Sequence, residues 1–189
     1  MEPPETHDER QPTAFGRELL DEREQLDLIE AIVPGAERAR AGLLLPGHRA
    51  NDVAARWIAA ARFGLPGLTA SGGVYACASI KEEFGIALLE AMATGLFVVA
   101  PDGGGPATYV EDGVTGLLAA TWNAARLHEA LDSALSAVAA EGDDARADRS
   151  GAMVRERFTI QRMSVALGEV YRGVARDEAA LLEQVEAAR

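Results

Sequence analysis

The stretch from Val74 to Ala100 limits the fold more than any other part of the chain. Val74–Ala78 reads as a strand, Ser79–Glu83 as a short polar loop, Phe84–Thr94 as a helix that Gly95 ends, and Phe97–Ala100 as a further strand. Strands joined through a helix by such short loops pair in parallel, with a right-handed crossover, whereas an antiparallel pair needs only a hairpin. A parallel pair needs cover on both faces. The expected fold class is therefore α/β, a Rossmann-like parallel sheet with helices on both faces.

The flanks extend this unit. Ala41–Leu45 is a short apolar run, expected as a buried strand closed by Pro46-Gly47. Asn51 is a suitable N-cap for a helix over Asp52–Phe63, with Gly64 as its stop. Val114–Leu118 reads as another strand after the turn Glu111-Asp112-Gly113, and Asn123–Ala140 as an Ala- and Leu-rich helix. Residues 1–16 read as a disordered lead-in and Arg17–Ile32 as a charged amphipathic helix. Glu141–Ser150 reads as a charged linker, followed by helices over Met153–Phe158, Gln161–Arg176 and Ala179–Ala188. The organisation expected is a lead-in (1–16), a partial Rossmann-like nucleotide-sugar-binding domain (17–140), and a linker with C-terminal helices (141–189).

Charge and cysteine usage narrow the partners. The formal net charge is -12, and an acidic surface repels nucleic-acid backbones and anionic lipid. Cys77 is the only cysteine, so no internal disulfide forms and a cytoplasmic location is expected. No apolar run approaches the roughly 20 residues that a spanning helix needs.

The helix GIALLEAMAT, Gly85–Thr94, is apolar on nearly every side and is expected to be buried. Glu90 is its only charge, and a buried carboxylate needs a partner. That partner is either an arginine such as Arg56 or a ligand diol. Glu82 lies in the loop that opens onto the N-terminus of this helix, where backbone N–H groups are free and the dipole is positive. This is a ready anion site at the carboxyl end of a parallel strand. The first helical turn and Glu90 are about 9 Å apart along the axis. A diphosphate at the N-terminus places its ribose beside Glu90 and its hexose toward Glu82. Taken alone, Glu82 in an exposed acidic loop reads as merely solvated, and Lys81 reads equally as a phosphate contact or a solvated lysine. Cys77 is expected to be inert core, and Trp57 and Trp122 to be packing residues.

The stretch Lys81-Glu82-Glu83-Phe84-Gly85 through Glu90-Ala91-Met92-Ala93 and Gly95 resembles the signature of the retaining glycosyltransferases of family four, with two glutamates separated by seven residues and Phe-Gly after the first. Gly103-Gly104-Gly105-Pro106 after the next strand, and Asp112-Gly113-Val114-Thr115-Gly116-Leu117-Leu118 beyond it, fit the same pattern. Within the family, Pro46-Gly47-His48-Arg49, Asp52-Val53 and Gly73-Val74-Tyr75 look most like the sucrose-phosphate synthase and sucrose synthase subgroup. The resemblance implies the GT-B fold of two facing Rossmann-like domains, and here a truncated C-terminal, donor-binding one. It implies hexose transfer with retention from a nucleotide-diphosphate sugar, a UDP- or GDP-hexose, with no metal and no bound cofactor. Glu82 becomes the catalytic candidate, contacting the hexose hydroxyls. The amides of Phe84, Gly85 and Ile86 hold hexose and diphosphate, Glu90 takes the ribose, and Gly103, Gly104 and Gly105 approach the sugar or acceptor.

The family also has an acceptor domain that supplies a histidine, and an Arg and a Lys that neutralise the diphosphate. Nothing in residues 1–40 matches these. The chain is expected to begin inside the donor domain and to need an acceptor-domain partner chain or a homo-oligomer, without turnover on its own. The competing reading is a non-catalytic nucleotide-sugar-binding or interaction fragment. A dinucleotide-dependent oxidoreductase is disfavoured, because no G-x-G-x-x-G joins a strand to a helix.

Overall fold

The computed structural model describes residues 14–140 and 144–187. The chain divides between Arg49 and Ala50 into two compact units. The first holds helix α1 (Ala14–Ile32) and the short helix α2 (Gly35–Ala41). The expected lead-in lies outside the described residues except for its last three, which belong to α1.

The strand expected over Ala41–Leu45 does not form. Ala41 is the last residue of α2, and Gly42 caps it in the left-handed region at φ 69°. The Leu43 N–H turns back to the Arg38 carbonyl at 2.9 Å. Leu44 and Leu45 are exposed, and no ladder partner for them lies among the described residues. An apolar run makes a strand only where its backbone groups find another strand.

The second unit contains α3 (Asn51–Phe63), β1 (Val74–Ala76), α4 (Ile86–Ala93), β2 (Phe97–Pro101), a 3₁₀ turn (Pro106–Thr108), β3 (Gly116–Ala119), α5 (Ala124–Ala140), α6 (Asp144–Arg157) and α7 (Ile160–Ala187). The cap of α3 is Ala50 rather than Asn51, which already lies inside the helix; Gly64 ends it, as expected, at φ 80°. The strands form one parallel sheet in the order β1-β2-β3, with Val74 opposite Phe97 and Val99 opposite Leu117. The expected parallel crossover is therefore present.

All five residues of β2 are buried, as a central parallel strand requires. Its alternation supplies two cores. Val98 and Ala100 pack with Leu88, Leu89, Ala91 and Met92 of α4, joined by Ile58 of α3 and by Met153 and Val154 of α6. Phe97 and Val99 face Ala134 and Val138 of α5 on the other side. Helices thus cover both faces.

The segment read as a charged linker, Glu141–Ser150, is helical from Asp144 onward. Its charges hid a face of small residues. Ser150 is fully buried, and a Cβ on Gly95 would lie 2.5 Å from Ala147 Cβ. Only small residues let α4 and α6 approach so closely. The helices expected over Gln161–Arg176 and Ala179–Ala188 are the single helix α7. Among the described residues, no helix is long and apolar enough to cross a membrane, and no group of three His, Cys, Asp or Glu could hold a metal ion.

Candidate functional site

The loops that follow β1 and β2 meet at the carboxyl ends of these strands. Beyond Ala76 the Cys77 N–H still donates to the Val99 carbonyl at 2.9 Å; the chain then leaves the sheet and returns at Glu82. Glu82 pairs with Gly104 as an isolated parallel bridge, and the Gly105 N–H donates to the Glu82 carbonyl at 2.9 Å. This backbone clasp requires glycine. Gly104 adopts φ +86°, and a Cβ there would collide with the Glu82 carbonyl oxygen; one on Gly105 would lie 2.7 Å from Phe84 Cα. The glycine run expected to approach a sugar is thus split. Gly104 and Gly105 are packed against the protein's own backbone, while a Cβ on Gly103 would meet nothing within 4 Å.

Gly85 is the second constrained point. It caps α4 at φ 81° and ψ 57°, and a Cβ on it would lie 2.5 Å from the Tyr109 hydroxyl and 2.9 Å from Leu88 Cδ1. The Tyr109 hydroxyl donates to the Phe84 carbonyl at 2.6 Å, with the Gly85 carbonyl at 3.4 Å. Phe84, Tyr109 and Phe158 form an edge-to-face cluster with centroids 5.5 to 6.4 Å apart. The sequence showed Tyr109 only as a residue between a loop and a turn, and Phe158 only as a helix end. An aromatic inside an otherwise small and polar loop was the available signal.

Leu89 is the first residue of α4 whose N–H reaches a helix-type acceptor, the Gly85 carbonyl at 3.1 Å. The amides of Gly85, Ile86 and Ala87 find no acceptor among the described residues. They leave the positive end of the α4 dipole open for an anion.

Glu82 is partly buried, with Oε2 4.0 Å from Cys77 Sγ. The expected inert Cys77 is also only partly buried. Burial holds the Tyr109 phenol up at about 12, assisted by the charge of Glu82 and then by Cys77 and Tyr75. Tyr75 is raised by burial, then by Cys77, Glu82 and Glu90. Both expected carboxylates, Glu82 and Glu90, therefore act on one phenol, and both phenols remain hydrogen-bond donors at neutral pH.

Glu90 departs from expectation in one respect: it is exposed. Helix α4 is not apolar all round in effect, because Ile86, Ala87, Glu90 and Ala93 form a solvent stripe opposite Leu88, Ala91 and Met92. Glu90 needs no buried partner, and Arg56 pairs instead with Asp52 at 3.3 Å. Lys81 Nζ sits 2.7 Å from Glu83 Oε1, and both side chains are exposed. Trp57 and Trp122 are exposed rather than packed. A groove of about 480 Å³ runs beside Phe84, Ile86 and Glu90, walled by Val154, Phe158 and Met163.

Residues 63–146 match the protein-family model described as glycosyl transferases group 1; this span contains Glu82, Glu90, Gly104, Gly105 and Tyr109. Alpha-maltose-1-phosphate synthase of Mycobacterium tuberculosis (strain ATCC 25618 / H37Rv) is 41% identical over 99 residues, 49% of this chain and 24% of that protein. The protein of the same name from Mycolicibacterium smegmatis is 32% identical over 158 residues, 78% of this chain and 36% of that protein. The chain therefore spans about a quarter to a third of the length of these relatives. Sucrose-phosphate synthase from Thermosynechococcus elongatus shares the fold with a TM-score of 0.61 at 22% identity, over 91% of this chain and 37% of that one. The likeness to the glycosyl transferases group 1 family thus lies in residues 63–146, the stretch that holds the candidate site.

Proposed function

We infer that this chain is the donor-binding half of a retaining glycosyltransferase, moving a hexose from a nucleotide-diphosphate sugar to a hydroxyl of a sugar or other acceptor. The observation that carries this reading is the clasp between Glu82 and Gly104-Gly105. It fixes a carboxylate, a left-handed glycine and the open end of α4 at the carboxyl ends of two parallel strands, where open α/β sheets bind ligands. In this assignment the amides of Phe84, Gly85 and Ile86 take the hexose and diphosphate, Glu90 the ribose hydroxyls, and Glu82 the hexose hydroxyls. The exposure of Glu90 leaves its oxygens available to a ligand.

The bond from the anomeric carbon to the phosphate oxygen breaks, and a bond to the acceptor oxygen forms on the same face of the sugar. The acceptor proton leaves with the nucleoside diphosphate. Charge accumulates on the departing diphosphate, so amides already aimed at it stabilise the transition state without reorganising. An acceptor-domain chain or a second copy would complete the cleft. The donor is a UDP- or GDP-hexose in this reading.

The second reading is a nucleotide-sugar-binding or interaction fragment without turnover. It is favoured by Lys81, the cation in the turn, being held by Glu83 rather than free for a phosphate. Calorimetric titration with uridine and guanosine diphosphates tests the binding site, and nucleoside diphosphate release from their hexose conjugates in the presence of sugar acceptors tests turnover. Binding abolished by Glu82→Ala together with Glu90→Ala supports the site. Absence of binding by the native chain refutes it, and binding without release selects the second reading.

A further inference from the structure

We propose that Tyr109 is a positioning residue of the donor site, whose hydroxyl sets the direction of the Gly85 amide that receives the diphosphate. The inference rests on the donor-site reading above and concerns a residue with no expected role in it.

The argument starts from the peptide group. It is planar and trans, so the carbonyl of one residue and the N–H of the next point in opposite directions. Fixing the Phe84 carbonyl therefore fixes the Gly85 N–H. The Tyr109 hydroxyl does this at 2.6 Å, from a side chain that is itself buried. The next peptide is oriented by the helix, because the Gly85 carbonyl accepts from the Leu89 N–H at 3.1 Å. Two peptides earlier, the plane between Glu82 and Glu83 is oriented by the Gly105 N–H on the Glu82 carbonyl at 2.9 Å. Without the phenol, the plane between Phe84 and Gly85 lacks any other hydrogen bond among the described residues.

Gly85 is also the residue least able to hold that plane by itself. At φ 81° it lies where glycine moves freely. It cannot be stiffened by a side chain, since a Cβ would meet the same hydroxyl at 2.5 Å. Rigidity is instead supplied from outside, by a phenol that burial, assisted by the charge of Glu82, keeps protonated at neutral pH. The ring is seated independently of the hydroxyl by the edge-to-face contacts with Phe84 and Phe158, at 6.4 and 5.5 Å. Removing the oxygen alone should therefore leave the ring in place and release only the peptide plane.

The test is Tyr109→Phe, read by titration of uridine and guanosine diphosphates and by the backbone amide resonance of Gly85. The expected result is a five- to tenfold weaker affinity, in line with loss of one hydrogen bond that preorganises the site. The Gly85 resonance of the unliganded variant should shift or broaden as the plane samples both orientations, and the melting temperature should change little. A purely structural role predicts the reverse, with a lower melting temperature, unchanged affinity and an unmoved Gly85 resonance. That result overturns the proposal while leaving the donor site standing. If the native chain binds neither diphosphate, the donor-site reading itself fails and the positioning role goes with it.

Discussion

Gly103 and Gly104 are neighbours in one turn, yet alanine at each is expected to have opposite consequences. At Gly104 the backbone sits at φ +86°, and the new Cβ would overlap the Glu82 carbonyl oxygen. Holding a Cβ-bearing residue in the left-handed region costs roughly 1–2 kcal/mol. Relieving the overlap moves the loop and breaks the Gly105 N–H bond to Glu82, a further loss of about 1 kcal/mol. The sum is about 2–3 kcal/mol. At roughly 2–4 °C per kcal/mol for a chain of this size, Gly104→Ala should lower the melting temperature by about 5–10 °C. Gly103 has no positive φ, and its Cβ would meet nothing within 4 Å. Gly103→Ala should therefore stay within about 0.5 kcal/mol of the native chain. Thermal melts followed by circular dichroism read the stability difference. Titration with uridine and guanosine diphosphates reads the site, where Gly104→Ala should weaken binding about tenfold because Glu82 is released. Indistinguishable melts for the two variants would refute the account of the clasp.

Three further outcomes are expected. Glu90→Gln should weaken binding of the preferred diphosphate roughly tenfold, as expected for loss of charged hydrogen bonds to a diol, with an unchanged melt because the side chain is exposed and unpaired among the described residues; a lowered melt with intact affinity would remove Glu90 from the site. Glu83→Gln frees Lys81 from its 2.7 Å ion pair, and should tighten diphosphate binding about two- to threefold at low salt if Lys81 then reaches the phosphate, an effect that salt screens; unchanged affinity assigns Lys81 to solvent. The Tyr109 phenol is raised from 10.0 to about 12 in the fold, so the fold favours its protonated form. The cost of ionising it inside the fold is absent below pH 10 and grows as pH rises toward 12, so stability falls across that window. Denaturation midpoints measured from pH 9 to 12 should fall more steeply for the native chain than for Tyr109→Phe, and parallel slopes would contradict this.

The sequence exposed those parts of the fold that depend on local pattern. The β1–α4–β2 crossover was readable because the apolar runs, the loop and Gly95 lie within one stretch of chain. The glutamate spacing that marks the candidate site lies in the same stretch. Where long-range partners decide the outcome, sequence reading gave a different picture. Ala41–Leu45 has strand-like residues but no strand to pair with. Asp144–Ser150 looks like a linker because its charges dominate the composition, although Arg146, Ser150 and Gly151 form the buried side of a helix. The apolar composition of helix α4 predicts a buried Glu90, but exposure depends on which neighbours cover each stripe. Tyr109 could not be linked to Phe84 from sequence, since the two are separated by 25 positions and meet only after β2 aligns with β1.

Pro101 has an effect disproportionate to its size. It ends β2, and its nitrogen carries no hydrogen. After the Cys77 N–H to Val99 carbonyl bond, the next rung of a parallel ladder would run from residue 101 of β2 to the carbonyl of Cys77, and proline cannot make it. The seam toward β3 continues, with Pro101 opposite Ala119 and the Asp102 N–H on the Ala119 carbonyl at 2.9 Å. The sheet is thus unzipped along one side and closed along the other. One missing hydrogen turns a seam into a fork, and Glu82 and Gly104 join again above it, leaving a mouth between them instead of a longer strand.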